Sequence, residues 1–310
     1  MIARITRLLL LIELLAVWFF AAGIHLRWPH LQAGLSFVLG LTSVGLFRLA
    51  ITANSFLLSR RYRSPTPRHA CIGLGTAARL FFLEFFSSLY SSSWTMAFRS
   101  FSKRILPDPL GLPVLLVHGY GCNSGYWQAM SKVLSAARIS HHAVTLEPVF
   151  GSIDDYLQTL HLAVQSLLAE SGQTRIILIG HSMGGLACRA YLRSYGTERI
   201  AKVITIGTPH LGTALANHGI GKNVQQMAMD CSGEQYRSSE WLCALNRSEN
   251  AAVRSLIISI YSHHDNIVAP QSSACLTGAT NIAVSAIGHV TLAMHQQVQQ
   301  LVVDHVLKTQ

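Results

Sequence analysis

Residues 176–185 read Ile-Ile-Leu-Ile-Gly-His-Ser-Met-Gly-Gly, an apolar run that ends in a G-x-S-x-G pentapeptide centred on Ser182. The β-branched run predicts a buried strand, and the apolar spacing from Leu186 to Tyr195 predicts a helix directly after it. A serine on such a sharp turn is forced out above the sheet edge, and glycines flank it because neighbouring backbone passes too close for a Cβ. The stretch therefore predicts a nucleophile for acyl transfer. The alternative is a glycine-rich structural turn with an incidental serine.

Strand and helix patterns alternate from residue 110 to the C-terminus. This alternation predicts an α/β fold with a mostly parallel sheet and helices on both faces. Residues 211–252 break the rhythm with glycines and polar residues, so they predict a cap or lid insertion over the serine. The predicted strands are 113–117, 142–146, 175–180, 201–206, 255–261 and 280–285, and the predicted helices are 126–138, 154–170, 183–195 and 295–308.

The 310 residues are 50% hydrophobic and 12% charged, with a formal net charge of +10. So low a charged share predicts a membrane part joined to a globular part. Many arginines border apolar segments near the N-terminus, so the predicted partner is a bilayer with anionic lipid headgroups and not nucleic acid. The six cysteines contain no C-x-x-C pair, which argues against a zinc or thioredoxin-like site. A Cys231–Cys243 disulfide and six free thiols both stay open.

Two apolar stretches near the N-terminus, 8–26 and 31–58, predict a membrane-anchoring helical hairpin within residues 1–63. The alternative for the first stretch is a secretory signal peptide, but Glu13 and the second stretch favour an anchor. Arginines at both ends of the hairpin predict that those ends lie on the cytoplasmic side of a bacterial inner membrane. The periplasmic side is the alternative. Residues 64–109 are predicted to form a linker and an amphipathic helix, and residues 110–310 the catalytic domain.

A serine nucleophile needs a base, and the base needs an orienting partner. Functional groups in a parallel sheet gather at the carboxyl ends of strands. Asp265 and His289 each follow a predicted strand, so Ser182, Asp265 and His289 form the predicted triad. The alternative for Asp265 is an Asx-turn. Other acids lie in the insertion or at a helix start: Asp154, Asp155, Asp230, Glu234, Glu240 and Glu249.

An oxyanion formed at Ser182 needs two backbone donors. The predicted donors are the N–H of Met183, next to the nucleophile, and that of Tyr120, in the glycine-rich loop after strand 113–117. Gly119, Tyr120 and His181 are the predicted substrate-binding residues, although the ring of His181 is expected to point away from substrate. For the Tyr120 side chain, a packed aromatic is the alternative.

Three motifs, His118-Gly119, Gly180–Gly185 and Gly207-Thr-Pro-His-Leu-Gly212, together resemble bacterial triacylglycerol lipases and related esterases of the α/β-hydrolase fold. The segments around Asp265 and His289 are similar to the acid and base loops of that family. The resemblance covers residues 110 to 308 and implies the same triad and oxyanion roles. Many secreted members hold a structural calcium ion near these loops. No Asp or Glu lies between Asp265 and His289, so no metal is predicted, and the chemistry needs no cofactor.

These features predict a membrane-anchored serine ester hydrolase of lipase or carboxylesterase type that acts on a lipid or acyl ester. An acyltransferase or thioesterase with the same triad is the alternative within enzymes. A non-catalytic membrane scaffold is the alternative outside them. The sequence predicts neither the acyl chain length nor the oligomeric state.

Overall fold

A seven-stranded sheet forms the centre of the computed structural model, which describes residues 1–233 and 236–309. The spatial order is β1-β3-β2-β4-β5-β8-β9; β1 pairs antiparallel with β3, and the other neighbours are parallel. The predicted α/β fold with a mostly parallel sheet is confirmed. The strands are β1 Lys103–Arg104, β2 Val114–Val117, β3 His141–Ala143, β4 Ile176–His181, β5 Ile200–Ile206, β6 Met229–Asp230, β7 Arg237–Ser238, β8 Ile257–Ser262 and β9 Thr280–Val284.

Helices cover both faces of this sheet because successive strand residues point to opposite sides and both sides are apolar. Leu115 packs in one core cluster with α6 and α7, whereas Val114 packs in the other with α5 and α11. The helices are α1 Ile2–Arg27, α2 Ala33–Arg61, α3 Leu74–Tyr90, α4 Met96–Phe98, α5 Gln128–Ala136, α6 Leu157–Ser171, α7 Met183–Tyr195, α8 Lys222–Met227, α9 Glu240–Ser248, α10 Ala251–Ser255 and α11 Gln296–Leu307.

The N-terminal helices α1 and α2 form a closely packed antiparallel pair. Their mean hydropathies are 2.2 and 1.7, and by length and composition both are able to cross a bilayer. A Cβ added at Gly40 would lie 2.5 Å from the carbonyl oxygen of Val17, so glycine permits this close approach. An ion pair of 2.6 Å between Arg48 and Glu13 also joins the two helices.

The sheet extends upstream of the predicted boundary at residue 110, because β1 adds an antiparallel edge strand. The insertion at 211–252 is not a detached flap, since Leu242 and Leu245 are fully buried in the core beside α7. All six cysteines are free. The division into residues 1–63, 64–109 and 110–310 stays a prediction.

Candidate active site

Ser182 occupies the sharp turn between β4 and α7, with φ +55° and ψ −125°. A Cβ added at Gly180 would lie 2.4 Å from the nitrogen of Gly185, and one at Gly184 would lie 2.1 Å from the carbonyl oxygen of Val117. Side chains are excluded at both positions because the backbone of the neighbouring elements fills that space. The pentapeptide therefore has the geometry that its glycines predict.

Asp265 and His289 form a buried pair beyond the ends of β8 and β9. His289 Nδ1 lies 2.8 Å from Asp265 Oδ2, and the two residues are 5% and 3% exposed. The second oxygen, Oδ1, accepts hydrogen bonds from the backbone N–H groups of Ile267 and Val268, both at 2.8 Å. The Asx-type turn and the pairing with His289 thus coexist, because each uses a different carboxylate oxygen.

The environment of His289 raises the pKa of its imidazole above the ordinary value. Burial alone would lower this pKa, but the charge and hydrogen bond of Asp265, with a smaller contribution from the Glu84 carboxylate, outweigh it. The protonated form of the His289 imidazole is therefore stabilised in this position.

The backbone at Ile206 and Gly207 connects this pair with the serine. The N–H of Ser182 donates to the carbonyl of Ile206 at 2.9 Å. A Cβ added at Gly207 would lie 3.3 Å from Asp265 Oδ2 and 3.4 Å from His289 Nδ1. The structure therefore brings Ser182, Asp265 and His289 to one edge of the sheet. The hydroxyl of Ser182 makes no hydrogen bond to any residue in the described part of the chain.

The loop after β2 passes directly over the serine. A Cβ added at Gly119 would lie 2.9 Å from Ser182 Cβ, so a larger residue would collide with the Ser182 side chain. Tyr120 is partly buried, and its hydroxyl donates to the carbonyl of Ile220 in the insertion at 2.8 Å. Its ring centroid lies 6.3 Å from that of Phe150. The predicted insertion thus contacts the predicted oxyanion loop, while the donor roles of the Tyr120 and Met183 N–H groups stay predictions.

His181 packs behind the loop of residues 288–291, which carries His289 and is termed the histidine loop. It is 3% exposed, its Nε2 lies 3.0 Å from the carbonyl oxygen of His289, and its ring centroid lies 4.7 Å from those of His289 and Tyr126. Burial lowers the pKa of His181 well below the ordinary value, so it is a neutral donor to that carbonyl. These contacts give His181 a supporting role, and a substrate contact at this residue stays a prediction.

Side chains that the sequence analysis did not assign hold the histidine loop. Asn266 Oδ1 accepts from the N–H of His289 at 2.9 Å, and Asn266 Nδ2 donates to Ser55 Oγ of α2 at 2.8 Å. Glu84 of α3 accepts from the N–H groups of Val290 and Thr291. Glu84 had a sequence signal, because a lone acid within the apolar run 80–86 needs buried partners.

Other acids considered from the sequence have structural roles away from His289 or lie outside the described residues. Glu249 is 2% exposed in its side chain and pairs with the fully buried Arg189 at 2.7 Å. Asp155 forms a capping box with Ser152 at the start of a helical turn. Glu234 lies outside the described residues. Within the described residues, no group of three or more His, Cys, Asp and Glu side chains is placed to hold a metal ion.

Comparison with known proteins agrees with this architecture. A triacylglycerol lipase of Pseudarthrobacter phenanthrenivorans is 34% identical over 114 residues, which is 34% of this chain and 35% of that protein. A triacylglycerol lipase of Burkholderia plantarii is 34% identical over 114 residues, or 34% of this chain and 31% of that protein. The chain thus matches about a third of the length of each.

Solved lipase structures share the fold at low sequence identity. The mature lipase BlEst2 of Bacillus licheniformis superposes with a TM-score of 0.55 at 18% identity, covering 65% of this chain and 94% of that chain. Lipase B of Aspergillus fumigatus gives 0.55 at 18% identity, over 66% of this chain and 56% of that one. The family model "PGAP1-like alpha/beta domain" matches residues 150–308, which include Ser182, Asp265 and His289. The chain therefore belongs to the PGAP1-like α/β-domain family, among the lipase- and esterase-like α/β-hydrolases.

Proposed function

We propose that this chain is a serine hydrolase that cleaves carboxylic esters through Ser182, His289 and Asp265. The observation that carries the proposal is the buried 2.8 Å pair of His289 and Asp265 at the sheet edge that also holds Ser182 on its sharp turn. With the Nδ1–H donated to Asp265, the neutral ring presents its lone pair at Nε2. That tautomer is the one that a base for a serine hydroxyl requires.

The reaction proceeds in two steps, acylation of Ser182 and hydrolysis of the acyl-enzyme. Ser182 Oγ attacks the ester carbonyl carbon while His289 Nε2 takes the hydroxyl proton. The N–H groups of Tyr120 and Met183 stabilise the oxyanion, and its collapse expels the alcohol, which takes the proton from Nε2. Water then attacks the acyl-enzyme with the same base and releases the carboxylic acid and free Ser182. Asp265 stabilises the imidazolium in both steps and stays ionised.

The contact between Ser182 Oγ and His289 Nε2 is the part of this geometry that substrate binding completes. Hydrogen bonds of this kind are often long or misaligned in substrate-free hydrolases and tighten in the Michaelis complex. A hydroxyl needs only a rotation about its own χ1 angle to change partners. The surrounding backbone, in contrast, is fixed by the close approach of Gly119 to Ser182.

The proposed substrate is an ester with an apolar acyl group, including lipid esters. Phe150 and Ile220, on two loops that meet Tyr120, are 51% and 73% exposed, and apolar side chains at a site entrance favour apolar ligands. The matched relatives include triacylglycerol lipases, which supports the same substrate class.

We also propose that α1 and α2 anchor the enzyme in a membrane. Leu14, Trp18 and Phe19 of α1 are 66%, 68% and 70% exposed, an apolar surface that a bilayer would cover. Arg7 Nε of α1 donates to the carbonyl of Ala97 at 2.8 Å, so cleavage of α1 as a signal peptide would remove a contact within the fold. The arginine distribution favours a cytoplasmic catalytic domain. Periplasmic activity of alkaline phosphatase fused to the C-terminus would overturn that orientation.

A fluorophosphonate probe tests the catalytic proposal directly. We expect the full chain in lipid nanodiscs to be labelled and the Ser182→Ala variant to remain unlabelled, because the probe reacts with an activated serine hydroxyl. Equal labelling of both proteins, or none of the wild type, would refute catalysis at Ser182. A p-nitrophenyl ester series of increasing chain length then defines the acyl preference. Transfer to added alcohols or amines in preference to water would identify an acyltransferase instead.

A further inference from the structure

Helix α3, which lies outside the predicted catalytic domain, places a buried carboxylate against the histidine loop. Glu84 is 1% exposed. Its Oε1 accepts from the N–H of Val290 at 2.8 Å, and its Oε2 accepts from the N–H of Thr291 at 3.0 Å and from Thr291 Oγ1 at 2.7 Å. The two backbone N–H groups can only donate, so the carboxyl group accepts from both. Burial raises the pKa of Glu84 above its ordinary value, while the hydrogen bonds from Val290 and Thr291 lower it and so favour the charged form.

The loop itself is shaped to admit this carboxylate. A Cβ added at Gly288 would lie 2.5 Å from Glu84 Oε2 and 2.6 Å from its Cδ. The φ angle of Gly288 is not positive, so its backbone conformation does not by itself require glycine. Space for the Glu84 carboxylate therefore accounts for the glycine immediately before His289.

The loop of His289 is held by Glu84 of helix α3 and by Asn266, which is itself bonded to helix α2. Glu84 fixes the backbone that follows the histidine, and Asn266, which is bonded to Ser55 of α2, accepts from the histidine N–H itself. Tyr126 adds a third contact by donating to the carbonyl of Val290 at 3.0 Å. Because the loop is held at His289 itself and at the two residues that follow it, the direction in which Nε2 points is fixed.

The Glu84 carboxylate also acts on His289 through its charge. Titratable side chains of the described residues that act on or contact the imidazole include Asp265 at 2.8 Å, His181 with ring centroids 4.7 Å apart, and Glu84. The two carboxylates raise the pKa of His289 against the effect of burial. His181 is buried and neutral, so it contributes no charge that would compensate for loss of Glu84.

We propose that Glu84 is a positioning residue for the general base, so that helix α3 belongs to the catalytic unit and a fragment that begins after it has an incomplete active site. This inference rests on the proposed serine hydrolase function. Glu84 acts through the loop of residues 288–291 and touches neither substrate nor Ser182.

The test compares Glu84→Gln with wild type as full chains in lipid nanodiscs, using p-nitrophenyl butyrate. Gln keeps the size of the side chain, but its amide NH2 faces N–H or O–H donors and its charge is lost. We expect kcat to fall about tenfold or more, as small misplacements of a catalytic group do, with a smaller change in KM. The acid limb of the kcat/KM–pH profile should move to lower pH, because the pKa of His289 falls without the Glu84 charge. The matched control is Glu170→Gln, a surface carboxylate bonded to Lys103 and Ser166, which should leave both unchanged.

A second pair of variants tests the same contact without relying on Gln. Gly288→Ala should lower kcat because the new methyl displaces the carboxylate. Glu84→Ala removes that conflict. Adding Gly288→Ala in this background should therefore lower kcat by about twofold or less, as expected for coupled neighbours. If Gly288→Ala lowers kcat equally in the wild-type and Glu84→Ala backgrounds, the proposal is overturned. This comparison decides the question if Glu84→Gln yields no folded protein.

Failure of this inference is distinguishable from failure of the proposed function. If the wild-type chain is neither labelled by fluorophosphonate nor able to hydrolyse the ester, the proposed hydrolase function is refuted. A wild-type chain that does both, beside a folded Glu84→Gln variant with unchanged kcat and pH profile, removes only the positioning role of Glu84.

Discussion

The turn at Ser182 and the loop at His289 are built by different means. Around Ser182 the close contacts are between backbone atoms of the sheet and its neighbouring helix, such as Gly184 against Val117 and Ser182 N–H on Ile206. The loop at His289 is held mainly by side chains. Among them, Glu84 is 206 and 207 residues away in the sequence from Val290 and Thr291, the residues whose N–H groups it accepts from. The proposed nucleophile is thus fixed by the fold itself, whereas the proposed base depends on helices outside the sheet.

The two halves of the candidate active site should therefore differ in how well they tolerate substitution. Backbone contacts leave no room for adjustment, so a change at the serine turn should damage folding as well as activity. Side-chain contacts are replaceable, so a change at the histidine loop should damage catalysis first and be open to compensation.

The largest expected effect comes from breaking the buried pair at the base. Asp265→Asn should lower kcat about 10⁴-fold, because the amide cannot hold the reactive tautomer of His289 or stabilise its cation. Initial rates with p-nitrophenyl butyrate and a thermal melt would show activity lost with the fold retained. A fall of less than about tenfold would contradict the role assigned to Asp265.

The next comparison is between two glycine substitutions, one in each region. Gly184→Ala should destabilise the protein by about 3 kcal/mol or more, because a Cβ would lie 2.1 Å from backbone oxygen of β2. Gly288→Ala should cost less, about 1 kcal/mol, because the obstacle is a side chain. Melting temperatures of both variants measure the difference. A smaller loss for Gly184→Ala than for Gly288→Ala would show that the two regions do not differ in this way.

The pH dependence of the wild type follows from the raised pKa of His289. The base must be neutral to accept the proton of Ser182, and a raised pKa means that protonation begins at a higher pH than for an ordinary histidine. The rate should therefore fall as the pH drops through a value above 6.5, the ordinary pKa of a histidine side chain. A kcat/KM profile across the neutral range measures this limb, and a limb clearly below 6.5 would contradict the stabilised imidazolium.

The smallest expected effect lies at the outer contact of the histidine loop. Ser55→Ala removes the acceptor for Asn266 Nδ2, which should cost about 1 kcal/mol of stability and lower kcat by about threefold or less. Ser43→Ala is the matched control, since this half-buried hydroxyl of α2 donates to the carbonyl of Leu39 in its own helix. Identical melting temperatures for both variants would argue against coupling of α2 to the loop.

Much of the fold was predictable because it follows from local patterns. The six predicted strands and the four predicted helices of the catalytic part all occur, with ends shifted by a few residues. The edge strand Lys103–Arg104 was missed, since two exposed polar residues carry no periodic signal and pair only because β3 is beside them. The serine turn was predictable from the glycines that it requires, whereas Asp265 and His289 were proposed from their positions after strands.

The parallel sheet, the apolar N-terminal helices and the serine turn were predictable from the sequence, because periodicity and glycine requirements act over a few neighbouring residues. Tertiary structure alone decided that Glu84, Ser55 and Asn266 hold the histidine loop. It also decided that one oxygen of Asp265 closes a turn while the other meets His289. The physical reason is that a buried carboxylate or amide must find donors and acceptors wherever the folded chain brings them, and that distance in sequence carries no information about distance in space.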